Sequence, residues 1–102
     1  MFRIVVLYPQ AGDNWFNMDY YKKNHIPLVK KLLKPFGMEK LELDAGIAGI
    51  DASAPYFAIA YLTFKTLEQF QKGFAAHGKT LSDDMPNYTK EVIIQIGEIV
   101  KI

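Results

Sequence analysis

Hydrophobic and polar positions recur along this chain with two periods, and the places where the period changes mark its elements. Phe2 to Tyr8 is a run of β-branched and aromatic residues with one charge, too short for a helix and stopped by Pro9, which predicts a strand. Gln10 to Asn14 follows as a loop, with turn chemistry at Gly12-Asp13-Asn14 and two large aromatics, Trp15 and Phe16, at its exit. From Asn17 the spacing becomes helical. Met18, Tyr21, His25, Leu28, Val29, Leu32 and Phe36 form one apolar stripe, while Lys23, Lys30, Lys31 and Lys34 fall on the other side. Asn17 is placed to cap this helix, and Asp19 to sit in its first turn against the macrodipole. Pro27 removes a backbone donor and crowds residue 23. It predicts either a kink near His25, or one helix ending there and a second beginning with Pro27 in its first turn. Pro35 and Gly37 close the segment.

Met38 to Ala45 alternates, with Leu41, Leu43 and Ala45 facing one way and Lys40, Glu42 and Asp44 the other, as in a half-exposed edge strand. Gly46 to Pro55 is a loop of small residues. Its glycines lack the strand–loop–helix context and the lysine of a phosphate cradle. Tyr56 to Phe64 reads as a strand that is apolar on both faces. Thr66-Leu67-Glu68-Gln69 has the form of a capping box and opens a second amphipathic helix through Leu67, Phe70, Phe74 and Ala75. That helix is expected to end at His77-Gly78, with the glycine as its C-cap and His77 against the helix dipole. Lys79 to Thr89 then forms a connector with room for one short helical turn. Glu91 to Ile102 is the last strand, with Val92, Ile94, Ile96, Val100 and Ile102 on one face and Ile93 and Ile99 on the other; Gly97 marks a bulge.

The order β-α-β-β-α-β is the split βαβ, or ferredoxin-like, plan of the α+β class: a four-stranded antiparallel sheet with both helices on one face. The first, third and fourth strands are apolar on both faces, and two helices cover only one. Some six to eight large apolar side chains on the other face, at roughly 1.5–3 kcal/mol each when buried, put on the order of 10–20 kcal/mol at stake. That matches the whole stability of a small domain. A two-fold homodimer in which two sheets close face to face is the simplest remedy.

Composition narrows the classes further. At 102 residues, half of them hydrophobic, the chain is a single domain able to build a core. A net charge of +1 without a basic patch or tail argues against nucleic acid as a partner. With no cysteine there is no disulfide, thiolate metal site or cysteine nucleophile. Neither a signal peptide nor a membrane span is legible, so the reading is a soluble cytoplasmic protein. Two histidines without an HxxxH or HxH spacing offer no metal site, and neither a Gly-x-Ser-x-Gly nor a dinucleotide fingerprint occurs.

Chemistry concentrates on Tyr20-Tyr21-Lys22-Lys23-Asn24-His25-Ile26-Pro27-Leu28. His25 lies within the apolar stripe, where partial desolvation tunes an imidazole for acid–base work. The alternative is a buried histidine satisfied by a backbone carbonyl that Pro27 frees. Tyr21, one turn earlier on the same face, either orients a ligand or fills core. Asp84, in the connector, either pairs with His25 and fixes its tautomer or, like Asn87, bonds nearby backbone in a turn. Trp15, Phe16 and Tyr88 form either an aromatic rim for a planar ligand or ordinary packing.

The spacing of Tyr20-Tyr21, His25 and Pro27-Leu28, then Pro55-Tyr56, Asp84-x-Pro86-Asn87-Tyr88-Thr89 and Gln95-Ile96-Gly97-Glu98, resembles the EthD family, named for ethyl tert-butyl ether degradation, across nearly the whole chain. The family belongs to the dimeric α+β barrel superfamily, which includes cofactor-free monooxygenases, polyketide cyclases, muconolactone isomerases and haem enzymes. The resemblance implies a dimer with a small-molecule cavity between the sheet and helices of each subunit. On it rest two expectations. The first is a cofactor-free oxygenase, cyclase or lyase acting on a small aromatic or polyketide-like compound, with His25 and Asp84 catalytic and Tyr21, Trp15, Tyr88 and Asn87 against the substrate. The second is a non-catalytic dimeric binding or accessory protein. A haem axial role for His25, as in other branches, has no second haem feature beside it.

Overall fold

The computed structural model describes residues 1–102. Four strands, β1 (Phe2–Pro9), β2 (Met38–Ala45), β3 (Tyr56–Phe64) and β4 (Ile93–Glu98), pair antiparallel in the order β2-β3-β1-β4. Two helices complete the expected β-α-β-β-α-β plan: α1 over residues 18–33 and α2 over Leu67–Asp84. No helix is long and apolar enough to cross a membrane.

The sheet's pleat decides what each face carries. Ile4 stands opposite Leu62 on one side and Ile96 on the other, and Val6 opposite Ala60 and Ile94, so these residues share the face under the helices. Ile4, Leu62 and Phe64 pack there with Val29 and Leu33 of α1 and Phe70 of α2. Arg3, Val5 and Leu7 of β1, Ile59 and Tyr61 of β3 and Ile93 of β4 share the opposite face, and no helix of the chain lies on it. The helices lie towards β2 and β3. On the covered side β4 is therefore left half open, with Ile94 51% and Ile96 50% exposed.

Helix α1 does not end at Pro27, and its irregularity falls where a kink is expected, at His25. Asn17 caps the helix by accepting the Tyr20 amide (3.0 Å). The chain then runs as an α-helical turn at Met18–Tyr20, a π-helical stretch at Tyr21–His25 and an α-helix at Ile26–Leu33, without a break. The Ile26 amide reaches back to the Tyr21 carbonyl, five residues away. The wider turn adds a residue just before the proline and relieves the contact its ring makes with the preceding turn. The fully buried line is consequently Tyr21, His25, Val29 and Leu33, every fourth residue, and the expected Leu28 and Leu32 flank it half-buried. A 3-10 turn at Lys34–Phe36 and Gly37, at φ +104°, end the segment. A side chain at Gly37 would strike Gln69.

Gln69 belongs to the expected capping box of α2: its amide donates to Thr66 Oγ1, and its Oε1 accepts the Thr66 amide, both at 3.2 Å. The expected end at His77-Gly78 is wrong. The helix continues to Asp84, because Gly78 keeps ordinary helical geometry and the Phe74 ring folds over it. His77 accordingly sits mid-helix, edge-on to Phe36 (5.7 Å), and not at a dipole end. Asp84 lies in the last turn of α2, not in a connector, and a 3-10 turn at Met85–Asn87 follows. Strand β4 is shorter than expected, and Gly97 pairs in unbroken register with Arg3, so no bulge forms there. The irregularities fall instead at Tyr8/Pro9 and Met38/Lys40.

Candidate functional site

A cavity of about 330 Å³ lies between the helices and the sheet. It exists because β3 places the small side chain of Ala60 beneath the helices while β4 stays uncovered. Ile4, Val6, Val29, Leu62, Phe70 and Phe74 line most of it, and Ile94 and Ile96 stand at the open side. Polarity gathers at one end, where Tyr8, Tyr21, His25 and Tyr88 come together. Tyr8 arrives from the end of β1 on the same face as Ile4 and Val6. Tyr21 and His25 come from the π-helical stretch, and Tyr88 from the segment after α2.

His25 is 5% exposed. Its Nδ1 lies 2.9 Å from Asp84 Oδ2, and its Nε2 3.1 Å from the Tyr88 hydroxyl. A carboxylate only accepts, so Nδ1 carries the proton and donates to Asp84, leaving Nε2 to accept from Tyr88. The other Asp84 oxygen accepts the Tyr20 hydroxyl (2.6 Å) and the Asn87 amide (3.0 Å), and Asn87 also donates to the Tyr20 oxygen (3.2 Å). Across the cavity end the Tyr8 hydroxyl donates to that of Tyr21 (3.1 Å). The imidazole lies nearly parallel to the Tyr21 ring (5.3 Å) and tilted against Tyr88 (4.5 Å).

These contacts set the charge states. Burial pushes the His25 imidazole below its ordinary value, and Asp84 only partly offsets this, so the ring is neutral at pH 7. Burial pushes the Asp84 carboxyl up, but the hydrogen bonds from Tyr20, His25 and Asn87 outweigh it and hold the group below the usual carboxylate range. Burial raises all three cavity phenols, Tyr21 to about 12, so each keeps its proton.

Tyr88 is held from behind. Its carbonyl accepts the Asn17 amide (2.8 Å), and Phe16 pairs with Thr89. Asn14 ties the two segments by accepting the amides of Lys90 (3.1 Å) and Glu91 (2.8 Å) and donating to the Pro9 carbonyl (2.7 Å).

Of the residues singled out in the sequence, His25, Tyr21 and Tyr88 line the cavity, and Asp84 stands directly behind His25. Asn87 is exposed and does not line the cavity; it braces Asp84 and Tyr20. Trp15, expected at an aromatic rim, is 44% exposed and turned away. The Thr89 hydroxyl binds its carbonyl (2.8 Å). On this extended stretch neighbouring side chains alternate, so Phe16 packs inward against Tyr8 and Tyr21 and Trp15 points out. Nε2, the nitrogen a haem iron would need, is taken by Tyr88. Sequence reasoning missed Tyr8 and Tyr20. Strand alternation carries the signal for Tyr8, two residues beyond Val6. Nothing local links Tyr20 to Asp84, 64 positions away.

Comparison with known proteins adds a family. A model of the EthD domain matches residues 16–91. An EthD-like protein from Ralstonia eutropha JMP134 superposes with a TM-score of 0.88 at 27% identity, over 98% of this chain and 92% of its own. An ethyl tert-butyl ether degradation (EthD) family protein from Bacillus halodurans C-125 gives 0.71 at 16%, over 98% and 99%. A dimeric ferredoxin-like protein from an uncultured marine organism gives 0.59 at 11%, over 100% and 97%, a likeness of fold. No curated protein matches the chain.

Proposed function

The chain belongs to the EthD family, and we propose that it is a cofactor-free acid–base enzyme acting on a small aromatic or polyketide-like compound held in the cavity. One observation carries this reading: the hydrogen-bonded series Asp84–His25–Tyr88 ends at the wall of a space that is otherwise almost wholly apolar. A neutral imidazole with a carboxylate on Nδ1 is a base whose protonated form is stabilised as it appears. The substrate proton moves to the Tyr88 oxygen as Tyr88 passes its own proton to His25 Nε2. The products are a substrate carbanion and an imidazolium facing Asp84, and no free phenolate forms. Removal of a proton from an activated carbon opens cyclisation, elimination and cofactor-independent oxygenation alike. Positioned general bases contribute about 10²–10⁴-fold.

The protein works, in this reading, as a homodimer through the helix-free face of its sheet. Val5, Leu7, Ile59 and Ile93 supply an apolar surface there, and the marine relative of the same fold is described as dimeric.

The test is deuterium exchange at the carbon next to the carbonyl of butyrophenone, followed by NMR in D₂O at pH 7. Wild type should accelerate exchange over buffer, and His25→Ala should lose at least about 100-fold of that acceleration while still binding the ketone. Equal rates with wild type and His25→Ala would leave the binding reading alone.

A further inference from the structure

The two ends of the cavity differ in chemistry. Tyr8, Tyr21, His25 and Tyr88, all buried, close one end, and the proton-transfer groups gather there. The other end opens between α2 and β4. Phe74, Gly78 and Ser82 follow one another at every fourth residue and so share one edge of α2. Phe74 and Ser82 line the cavity from the helix, and Ile94 and Ile96 line it from the strand. Phe74 is 43% exposed and the two isoleucines are half exposed, so all three stand where the cavity meets solvent. Large apolar side chains gathered at one opening are a patch and not scattered surface residues. The proposed dimer does not cover them, because Ile94 and Ile96 lie on the helix side of the sheet and the second copy packs on the other. The edge of α2 is also thinned at this place. Gly78 is a poor helix former in the interior of an 18-residue helix. Its missing side chain gives room to the Phe74 ring, which a Cβ at this position would meet at 3.1 Å. Stacked on Phe70 (5.6 Å) as well, the ring lies along the helix. Between the ring and β4 remains an apolar slot that continues the cavity.

We infer that this slot is a second binding subsite, which takes an apolar tail of the substrate whose reacting carbon lies at His25 and Tyr88. This rests on the function proposed above and narrows its substrate class. The compound has an activated C–H in its head and an alkyl chain or second ring as its tail, and it is longer than the cavity is deep. A small molecule that is polar throughout makes no use of the slot. The order of head and tail follows from the closed end. The buried aromatic residues there leave no way out, so whatever exceeds the length of the cavity leaves between Phe74 and the isoleucines of β4. Contacts made by the tail are remote from the reacting carbon, and the binding energy they supply holds that carbon in place against Tyr88.

Two phenyl ketones that differ only in chain length test the slot: butyrophenone, and hexanophenone, which has two more methylenes. Whichever end of the molecule enters first, the added length pushes the other end outwards. Dissociation constants are measured by ligand-observed NMR for wild type, Phe74→Ala and Ile94→Ala. A buried methylene strengthens binding about fourfold, so wild type should prefer hexanophenone by about tenfold. In each variant the preference should shrink to about threefold or less. The readout is the ratio of the two constants, which divides out any general loosening of the cavity. A preference of about tenfold in wild type that both variants lose supports the slot. A preference that either variant keeps in full overturns it, as does equal binding of the two ketones by wild type. Sedimentation of both variants should match wild type; a changed assembly state would assign the opening to a second copy and likewise overturn the slot. Each of these reversals leaves the acid–base reading intact if deuterium exchange still depends on His25. Absence of exchange by wild type, with the preference lost in both variants, sinks the acid–base reading and leaves the slot. Failure of wild type to bind either ketone overturns both.

Discussion

Removal of the Asp84 carboxylate tests how the site is held together. In Asp84→Ala three hydrogen bonds disappear, but their costs differ. Tyr20 and Asn87 keep their bond to each other (3.2 Å), and Asn87 is at the surface, so both turn to water at little expense. His25 has no such recourse. Its Nδ1–H is buried behind the cavity wall, and without Asp84 it has no acceptor. An unsatisfied buried donor costs about 1–3 kcal/mol. Shifting the proton to Nε2 only displaces the deficit, because Tyr88 must then reverse its hydroxyl. A loss of about 2 kcal/mol is therefore expected, which corresponds to roughly 8–16 °C in Tm for a domain of this size. Asn87→Ala, at an exposed position, should stay within about 0.5 kcal/mol of wild type. Urea unfolding at fixed protein concentration measures both variants, with an unchanged m-value as the check that the same transition is followed. Nitrogen-15 spectra of His25 add a structural readout: wild type should show the Nδ1–H tautomer, and Asp84→Ala should lose it. If Asp84→Ala unfolds no more easily than Asn87→Ala, the carboxylate is not what keeps the imidazole in place, and the relay has been misassigned.

Two further outcomes follow from the same structure. Stability should fall as pH drops below about 6.5, because the unfolded chain then binds a proton at His25 that the folded chain, with its lowered value, refuses. The Asp84 contribution is present above the ordinary carboxylate value and disappears as pH falls through the lowered one. A urea midpoint that is flat between pH 7.5 and 5.5 would contradict the first part. Leu7→Glu places a charge between Ile59 and Ile93 on the helix-free face. In sedimentation at micromolar concentration it should convert a dimer into a monomer or an expanded chain, and an undisturbed dimer would move the interface elsewhere.

The fold was legible in the sequence wherever a period ran long enough to bury one face. Alternation places β2, and a run apolar on both faces places β3, at their observed bounds, and helical spacing with the Asn17 and Thr66 caps locates both helix starts. Errors arose where one residue type serves two purposes. Glycine after His77 has the form of a C-cap. Gly78 instead makes room for the Phe74 ring, and the signal that the helix goes on lies in Leu81, which packs against the core beyond it. Proline at position 27 signals a kink or a break, and the chain absorbs it by widening the turn that ends at His25. In the site, the stripe position of His25 is a local property and could be read. The contacts of Tyr20 with Asp84 and of Tyr88 with His25 join residues more than sixty positions apart. Only the continuation of α2 through Gly78 to Asp84 brings them together, and the form of a C-cap at that glycine hides it.

The π-helical stretch at Tyr21–His25 also bears on how the length of this chain can vary. An ordinary helical turn is closed by a bond between residues four apart, and here the bond joins Ile26 to Tyr21, five apart, so the turn holds one residue more. Deleting a single residue from this stretch, Asn24 for instance, would restore an ordinary helix and leave the residues on either side on their present faces, Tyr21 against Tyr8 and Val29 and Leu33 on the core. The same deletion in an ordinary α-helical turn would rotate everything before it by about 100°. Among proteins of this architecture, a one-residue length difference between the loop aromatics and the histidine is therefore compatible with the same site, one length with a wide turn and the other without.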